Sequence, residues 1–126
     1  MINRVSEAEE QTAVMEWSQL IIGKYPDIRL LFHIPNGGSR HPAEAAHLKA
    51  QGVKAGVPDL FLPVPRGGYH GLFVEMKTRD GKISEAQRRW LHDLKDQGYA
   101  VAVCHGARAA IDTIQGYMEG SPPEVG

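Results

Sequence analysis

Three charged side chains in the middle of the chain have the types and the spacing that hydrolytic chemistry needs. Asp59 begins a short apolar run, and Glu75 and Lys77 follow after fifteen intervening residues, separated from each other by one apolar residue. Because alternate side chains of a strand share a face, Glu75 and Lys77 would lie on the same side of a sheet. If the two strands paired, Asp59 would lie beside Glu75.

A close pair of carboxylates favours a bound cation. Two such groups repel each other, and a cation between them makes the arrangement stable. Hard oxygen ligands suit Mg²⁺ or Mn²⁺, and a nearby lysine can polarise an attacking water. Taken singly, Glu75 and Lys77 are typical of an exposed ion pair and Asp59 is typical of a turn. Their combination, directly after Gly56-Val57-Pro58, favours a metal site.

Periodicity, capping residues and turn residues predict the elements that position these groups. Ser6 and Ser84 each precede a capping-box partner three residues later, as expected at the start of a helix. Residues 99–104 form a continuous apolar run, typical of a strand buried on both faces. The predicted elements are helices over 6–23, 42–51, 84–97 and 106–119 and strands over 28–34, 60–62, 71–77 and 99–104. This order predicts an α/β protein with a mixed β-sheet flanked by α-helices.

The length and composition are those of one globular domain. A chain of 126 residues, 42% of them hydrophobic, suits a single domain over 1–120 followed by a flexible tail over 121–126. Its single cysteine, Cys104, excludes an internal disulfide and a cysteine-based zinc site. No apolar run approaches the roughly 18 residues of a membrane span, and the acidic N-terminal segment is unlike a signal peptide. These features predict a cytoplasmic protein with no membrane partner.

The net charge of −1 does not by itself indicate a nucleic-acid binder. The charges are unevenly distributed, however. Residues 1–27 hold five acidic and two basic side chains, whereas residues 77–89 hold five basic and two acidic ones. The acidic segment could contribute to a metal pocket, and the basic segment could bind a row of phosphates beside it. Alternatively, both segments could be solvated surfaces with no function.

The charged residues and their flanks resemble the PD-(D/E)XK nuclease signature and, more narrowly, its VRR-NUC branch. The matching stretches are 52–60, 73–78, 81–90 and 94–103, within a resemblance that spans about residues 6–118. The resemblance implies a restriction-endonuclease-like fold and a stand-alone nuclease of the kind common in phages and bacteria. The cytoplasm of a bacterial or phage-infected cell would then be its setting.

The resemblance also implies roles for the central charged residues. The carboxylates of Asp59 and Glu75 and the backbone carbonyl of Met76 would hold Mg²⁺ or Mn²⁺. Lys77 would orient the attacking water or help to deprotonate it. These roles agree with the chemistry inferred from the residue types alone.

Two further positions depend on helix geometry. The family has a glutamine beside the active site, which here is Gln87, but the same residue is also the predicted closing member of a capping box. The family places a glutamate of the first helix near the metal, and three residues compete for that position. Glu10 is favoured because it shares the apolar stripe of the predicted helix, whereas Glu9 lies on a more polar side and Glu7 lies one turn earlier.

DNA contacts are expected from basic and amide side chains around the site. Asn36 and Arg40 lie in the loop after the first predicted strand, where either could touch a phosphate, although Asn36 is also a common turn-forming residue. Further contacts to the DNA backbone, each with a solvated surface role as the alternative, are predicted for Lys54, Arg79, Lys82 and Arg88.

The sequence therefore predicts a metal-dependent, structure-specific DNA endonuclease. Two symmetric cuts need two sites, so a homodimer that resolves Holliday junctions or cuts other branched DNA is the favoured hypothesis. Two alternatives are a nuclease-fold module that binds branched DNA without cutting and a small restriction-type endonuclease. No residue excludes RNA as a substrate.

Overall fold

A computed structural model of the chain describes residues 5–36 and 41–123, so Arg40 and the end of the predicted tail lie outside the described residues. The helices are α1 (Glu7–Leu20), a 3₁₀ helix (Pro26–Leu30), α2 (Pro42–Ala50), α3 (Glu85–Asp96) and α4 (Ala107–Met118). The strands are β1 (Phe32–His33), β2 (Leu60–Leu62), β3 (Leu72–Lys77) and β4 (Ala100–His105). Among the described residues, none of these helices combines the length and the apolar character that crossing a membrane requires.

The strands form one mixed sheet in the order β1-β2-β3-β4. β2 pairs antiparallel with both β1 and β3, whereas β3 and β4 are parallel and need a crossover, which α3 supplies. The register pairs Leu60 with Val74, so the preceding Asp59 lies opposite Glu75. The mixed sheet flanked by helices that the sequence predicts is confirmed.

One face of the sheet, the core face, carries the apolar side chains of β3. Leu72, Val74 and Met76 alternate along the strand and are fully buried. Val14 of α1 and Ile114 of α4 belong to the same buried cluster. Burying each such side chain stabilises the fold by about 1.5–3 kcal/mol, so this face supplies most of the core.

The end of α4 is fastened to the rest of the fold by hydrogen bonds. The buried hydroxyl of Tyr117 donates to the carbonyl oxygen of Val64 at 2.6 Å, which ties α4 to the segment between β2 and β3. The backbone N–H of Ser121 donates to the carbonyl oxygen of Gly116 at 2.8 Å. The first residue of the predicted tail is thus hydrogen-bonded to α4.

The opposite face, the site face, carries Phe73, Glu75 and Lys77 of the same strand, and α3 lies over part of it. Ser84 begins α3 with the complete capping box that the sequence predicts, with Gln87 as its partner. The side chain of Gln87 also reaches Glu75. On the site face, the first turn of α3 therefore lies beside the polar end of β3.

The predicted strand over 28–34 is wrong in its first half. Residues Pro26–Leu30 form a 3₁₀ helix, and β1 is only two residues long. Ile28 and Leu31 are buried three residues apart, which is the spacing of one 3₁₀ turn, although the alternation of the sequence suggested a strand.

β4 is more exposed than its apolar run predicts. Its buried residues are Ala100 and Cys104, and Val103 is 36% exposed. Because β4 is an edge strand of the described sheet and α3 covers only part of the site face, the expectation of burial on both faces is wrong. The remaining boundaries agree with the prediction to within three residues.

Candidate metal centre

Asp59 is held at the start of β2 by hydrogen bonds to its side chain and to its backbone. Its Oδ2 accepts from the backbone N–H of Met76 at 2.8 Å. Its carbonyl oxygen accepts from the backbone N–H of Ile34 at 2.7 Å and from the Nδ1–H of His33 at 2.9 Å. The carboxylate is only 7% exposed and is therefore fixed beside Glu75.

Glu75 is the most buried charged side chain among the described residues, at 1% exposure. Its Oε2 accepts a hydrogen bond from Gln87 Nε2 at 3.3 Å and lies 3.8 Å from Lys77 Nζ. Its Oε1 is buried and accepts no hydrogen bond from the described part of the chain. Burial, and then the neighbouring Asp59 carboxylate, raise the pKa of Glu75 to about 8, although Lys77 acts to lower it.

A third carboxylate, that of Glu7 in the first turn of α1, joins Asp59 and Glu75. One oxygen from each of the three groups lies within 4.8 Å of the other two. Negative charges so close together repel unless protons or a cation neutralise them. The structure thus brings together the two predicted carboxylates and one of the three first-helix glutamates.

The structure does not bring Glu10 to this cluster. Its Oε2 instead accepts a hydrogen bond from the backbone N–H of Ala107 at the start of α4. Gly106 is the N-cap of α4 and has no side chain that could cap the helix, whereas Glu10 supplies an acceptor to its first turn and complements the helix dipole. The apolar stripe of α1 placed Glu10 towards the interior but did not reveal which neighbour it meets there. Glu9 accepts from the Ser6 hydroxyl at 3.2 Å, next to the α1 cap.

Gln87 fills both of the roles between which the sequence left a choice. Its Oε1 accepts from the backbone N–H of Ser84 at 2.8 Å, which closes the capping box. Its Nε2 donates to Glu75 Oε2 at 3.3 Å. The two ends of one amide therefore connect the start of α3 to the carboxylate cluster.

Gly56 brings the segment before Asp59 into close contact with α3. Its φ is +91°, a conformation that favours glycine, and a Cβ built on it would lie 2.9 Å from the Cβ of Ala86. Ala86 precedes Gln87 directly, so this close approach helps to set the position of the amide that contacts Glu75. A larger residue at position 56 would displace the first turn of α3.

The fold and this cluster have counterparts among known proteins. Residues 6–108 match the model of the VRR-NUC domain family. The chain belongs to the VRR-NUC family. A solved structure described as a VRR_NUC domain protein is 32% identical to it, with a TM-score of 0.75, and the match covers 93% of this chain and 91% of the other. A comparison with curated proteins found no match.

Family membership confirms the resemblance drawn from the sequence motifs. The mixed sheet with its flanking helices is the restriction-endonuclease-like fold, and the VRR-NUC domain is a nuclease-type domain. The cluster lies at the ends of the two strands where the sequence pattern located it. The contribution of α1 to the VRR-NUC cluster, through Glu7, could be seen only in the folded chain.

The donor set of this VRR-NUC domain fits a divalent cation. Glu75 Oε1 is a buried acceptor without a donor, and such an atom costs free energy unless a partner or a cation approaches it. The three clustered carboxylates offer hard oxygen ligands, which Mg²⁺ and Mn²⁺ prefer. The residues present therefore fit a divalent metal ion.

Three of the residues predicted to contact DNA lie on the surface near the end of β3. Arg79 and Lys82 are exposed in the connection from β3 to α3, which leaves the sheet directly after Lys77. Arg88 is exposed on α3, and its Nε lies 3.7 Å from Glu85 Oε2. All three basic residues therefore lie between the end of β3 and the first turns of α3.

The other described candidates, Asn36 and Lys54, precede Asp59 in the chain. Asn36 is exposed and follows Ile34 by two residues, and the N–H of Ile34 binds the Asp59 carbonyl. Lys54 is exposed along a groove of about 520 Å³ beside α2, which Lys49 also lines. Basic and amide groups thus flank the cluster in the chain on both sides.

Proposed function

We propose that the chain is a metal-dependent, structure-specific endonuclease that hydrolyses phosphodiester bonds of branched DNA in the cytoplasm of a bacterial or phage-infected cell. The observation that carries this proposal is the buried carboxylate cluster, in which Glu75 Oε1 has no donor among the described residues and Lys77 lies alongside. Membership of the VRR-NUC family supports nuclease chemistry at this cluster.

The proposed Mg²⁺ or Mn²⁺ site consists of the carboxylates of Glu7, Asp59 and Glu75 with the backbone carbonyl of Met76. When bound, the cation supplies Lewis-acid stabilisation of the negative charge that develops on the phosphate. The protein contributes rigid ligands, because Asp59 is hydrogen-bonded at both ends and Glu75 is held by Gln87. Their burial also keeps bulk water from weakening the electrostatic interactions.

Lys77 is proposed to act on the water that attacks the phosphorus. Its side chain is 11% exposed and its Nζ lies 3.8 Å from Glu75 Oε2, so the ammonium group is confined beside the cluster. From this position its N–H groups can orient the water and stabilise the hydroxide character of the attacking oxygen. Attack on phosphorus breaks the bond to the 3′ oxygen, which leaves a 5′-phosphate and a 3′-hydroxyl.

A homodimer is proposed because one cluster per chain can cut one strand. Symmetric cutting of a four-way junction needs two clusters related by a two-fold axis, which two copies of one chain provide most simply. Two copies would also double the number of exposed cations available to the DNA backbone, in a chain whose own net charge is only −1.

The test is cleavage of labelled linear duplex, single strand, flap and four-way junction in Mg²⁺, Mn²⁺ and EDTA. Lys77→Ala is compared with Lys95→Ala, which removes the same charge from an exposed position in the last turn of α3. Cleavage is expected with either metal, to be lost in EDTA and in Lys77→Ala, and to persist in Lys95→Ala.

The pattern of products tests the finer parts of the proposal. Paired, symmetric cuts restricted to the junction, together with a dimer in light scattering, are the expected result. Binding of the junction without cleavage in any metal would overturn the enzymatic proposal and favour a binding module. Cuts that follow base sequence in linear duplex would favour a restriction-type enzyme instead.

A further inference from the structure

A row of aromatic rings crosses the site face next to the carboxylates. Phe32, Phe61 and Phe73 are register partners on β1, β2 and β3. Phe61 and Phe73 stack with ring centroids 4.1 Å apart and planes inclined by 10°. Phe32 meets Phe61 edge to face at 5.8 Å, and Tyr99 contacts both Phe61 and Phe73 edge to face.

The rings at the two ends of the row differ in solvent exposure. Phe73 is 8% exposed beneath its neighbours, whereas Phe32 is 47% exposed on the edge strand β1. Contact with Phe61 restrains the Phe32 ring, so its exposed surface is available without a large loss of side-chain entropy. The Phe32 end of the row is thus a restrained aromatic surface facing solvent.

This row runs parallel to the carboxylates at a short distance. Phe61 lies two residues after Asp59 on β2, and Phe73 lies two residues before Glu75 on β3, so all four share the site face. Two residues of strand correspond to about 7 Å. A nucleotide whose phosphate lay at the carboxylates could therefore bring its own base, or the next one, to the aromatic row.

We propose that Phe32 stacks on an unpaired nucleobase adjacent to the phosphodiester that the carboxylate cluster cleaves. The inference rests on the proposed nuclease function and deepens it by naming the substrate: DNA in which the nucleotide beside the cut lies outside a duplex stack. Base stacking on an aromatic side chain is tolerant of sequence, because every base has a π-face. Paired DNA would lack the free base that this surface accepts.

A nucleobase suits this surface better than a second copy of the chain does. The exposed ring belongs to a single side chain, because Phe61, Phe73 and Tyr99 largely cover one another. A stable protein interface needs about 800 Å² from each partner, whereas one base needs a single ring. Phe32 is the register partner of Phe61, so its ring also lies on the face that carries the carboxylates, where the proposed substrate binds.

The experiment measures binding without cleavage. A four-way junction and a flap, each carrying 2-aminopurine at successive nucleotides around the branch, are titrated with the full chain in EDTA. Wild type is compared with Phe32→Ala, with Phe32→Leu, which stays apolar, and with Phe32→Trp, which stays aromatic. Leu20→Ala is the matched control, because Leu20 is an 85% exposed apolar residue at the end of α1 opposite to Glu7.

Stacking predicts quenching of 2-aminopurine at one or two positions with wild type and Phe32→Trp, and its loss with Phe32→Ala and Phe32→Leu. The affinity of those two variants should fall about tenfold. Replacing the quenched nucleotide with an abasic one should remove the difference between wild type and Phe32→Ala. The Leu20→Ala protein should behave as wild type does.

Other outcomes separate this inference from the proposed function. Quenching that depends on Phe32, in a protein that never cleaves, would support stacking while overturning the nuclease proposal. Normal cleavage with equal affinity and fluorescence for wild type and Phe32→Ala would overturn stacking alone. A change of oligomeric state in Phe32→Ala without any change in quenching would also overturn it and show that a second copy covers the ring.

Discussion

The two faces of β3 are equally buried but differ in what they bury. On the core face, Val74 and its neighbours meet apolar side chains from α1 and α4. On the site face, Glu75 is just as buried, yet one of its oxygens lacks a donor among the described residues and its pKa is raised to about 8. Burial stabilises the protein on the first face, whereas on the second it encloses a carboxyl group that is costly to ionise, so substitutions on the two faces should have opposite effects.

The largest expected effect is on catalysis, from Glu75→Gln. We expect cleavage to fall by about 1,000-fold, because one of the proposed metal ligands is lost while the shape of the site is kept. The thermal stability in EDTA should be unchanged or higher, since a buried carboxyl group is replaced by a neutral amide. Single-turnover cleavage and thermal unfolding would measure both. Glu85→Gln is the control on an exposed α3 residue, and loss of stability together with activity in Glu75→Gln would contradict the comparison.

On the core face we expect a loss of stability without a loss of cleavage. Ile114→Ala should lower the free energy of unfolding by about 2–5 kcal/mol, because it leaves a cavity at a fully buried position. The protein that remains folded at low temperature should cleave normally, since Ile114 belongs to the apolar core cluster. Urea unfolding followed by circular dichroism would measure the loss. A variant that is stable but inactive would show that the two faces are not independent.

The pH dependence of stability should come mainly from the site face. The pKa of Glu75 is raised from its ordinary value of 4.5 to about 8 in the folded chain, so the folded state binds this proton more tightly than the unfolded state does. The resulting stability is fully present below about pH 4.5 and is lost as the pH rises towards 8. In EDTA we expect the melting temperature to fall by about 10 °C between pH 5.5 and pH 8 relative to Glu75→Gln. Equal slopes for the two proteins would rule this out.

The smallest expected effects distinguish the two glutamates of α1. Glu10→Gln removes a charge from the N-terminus of α4 and should cost about 0.3–1 kcal/mol of stability, with metal binding retained. Glu7→Gln should instead weaken binding of Mn²⁺, measured by calorimetry, with little loss of stability in EDTA. If Glu10→Gln were the variant that lost the metal, Glu10, which the sequence favours, would be the ligand from α1.

Much of the fold could be predicted because its signals are local. Ser84 and Gln87 form a capping box that predicts the start of α3. The alternation of side chains around Glu75 predicts that its carboxylate and Lys77 share one face of a strand. The adjacency of Asp59 and Glu75 also followed, since a short turn joins their two strands. The error at Ile28 arose because alternating apolar residues can equally be buried at the three-residue spacing of a 3₁₀ turn.

The parts that could not be predicted depend on contacts between distant segments. Whether Glu7 or Glu10 lies at the cluster depends on how the start of α4 packs against α1. No local sequence pattern predicts that contact. The bond from His33 to the Asp59 carbonyl needs the pairing of β1 with β2. The exposure of Val103 reflects the edge position of β4 in the sheet, whereas its apolar sequence resembles that of a central strand.

The contact between Glu10 and Ala107 affects when, during synthesis, the carboxylate cluster can form. The two residues are 97 positions apart, so α1 leaves the ribosome long before the element that anchors it. A chain that stopped before α4 would carry Glu7, Asp59 and Glu75 but would lack the support that keeps the first of them in place. Nuclease activity should therefore appear only after α4 has been synthesised.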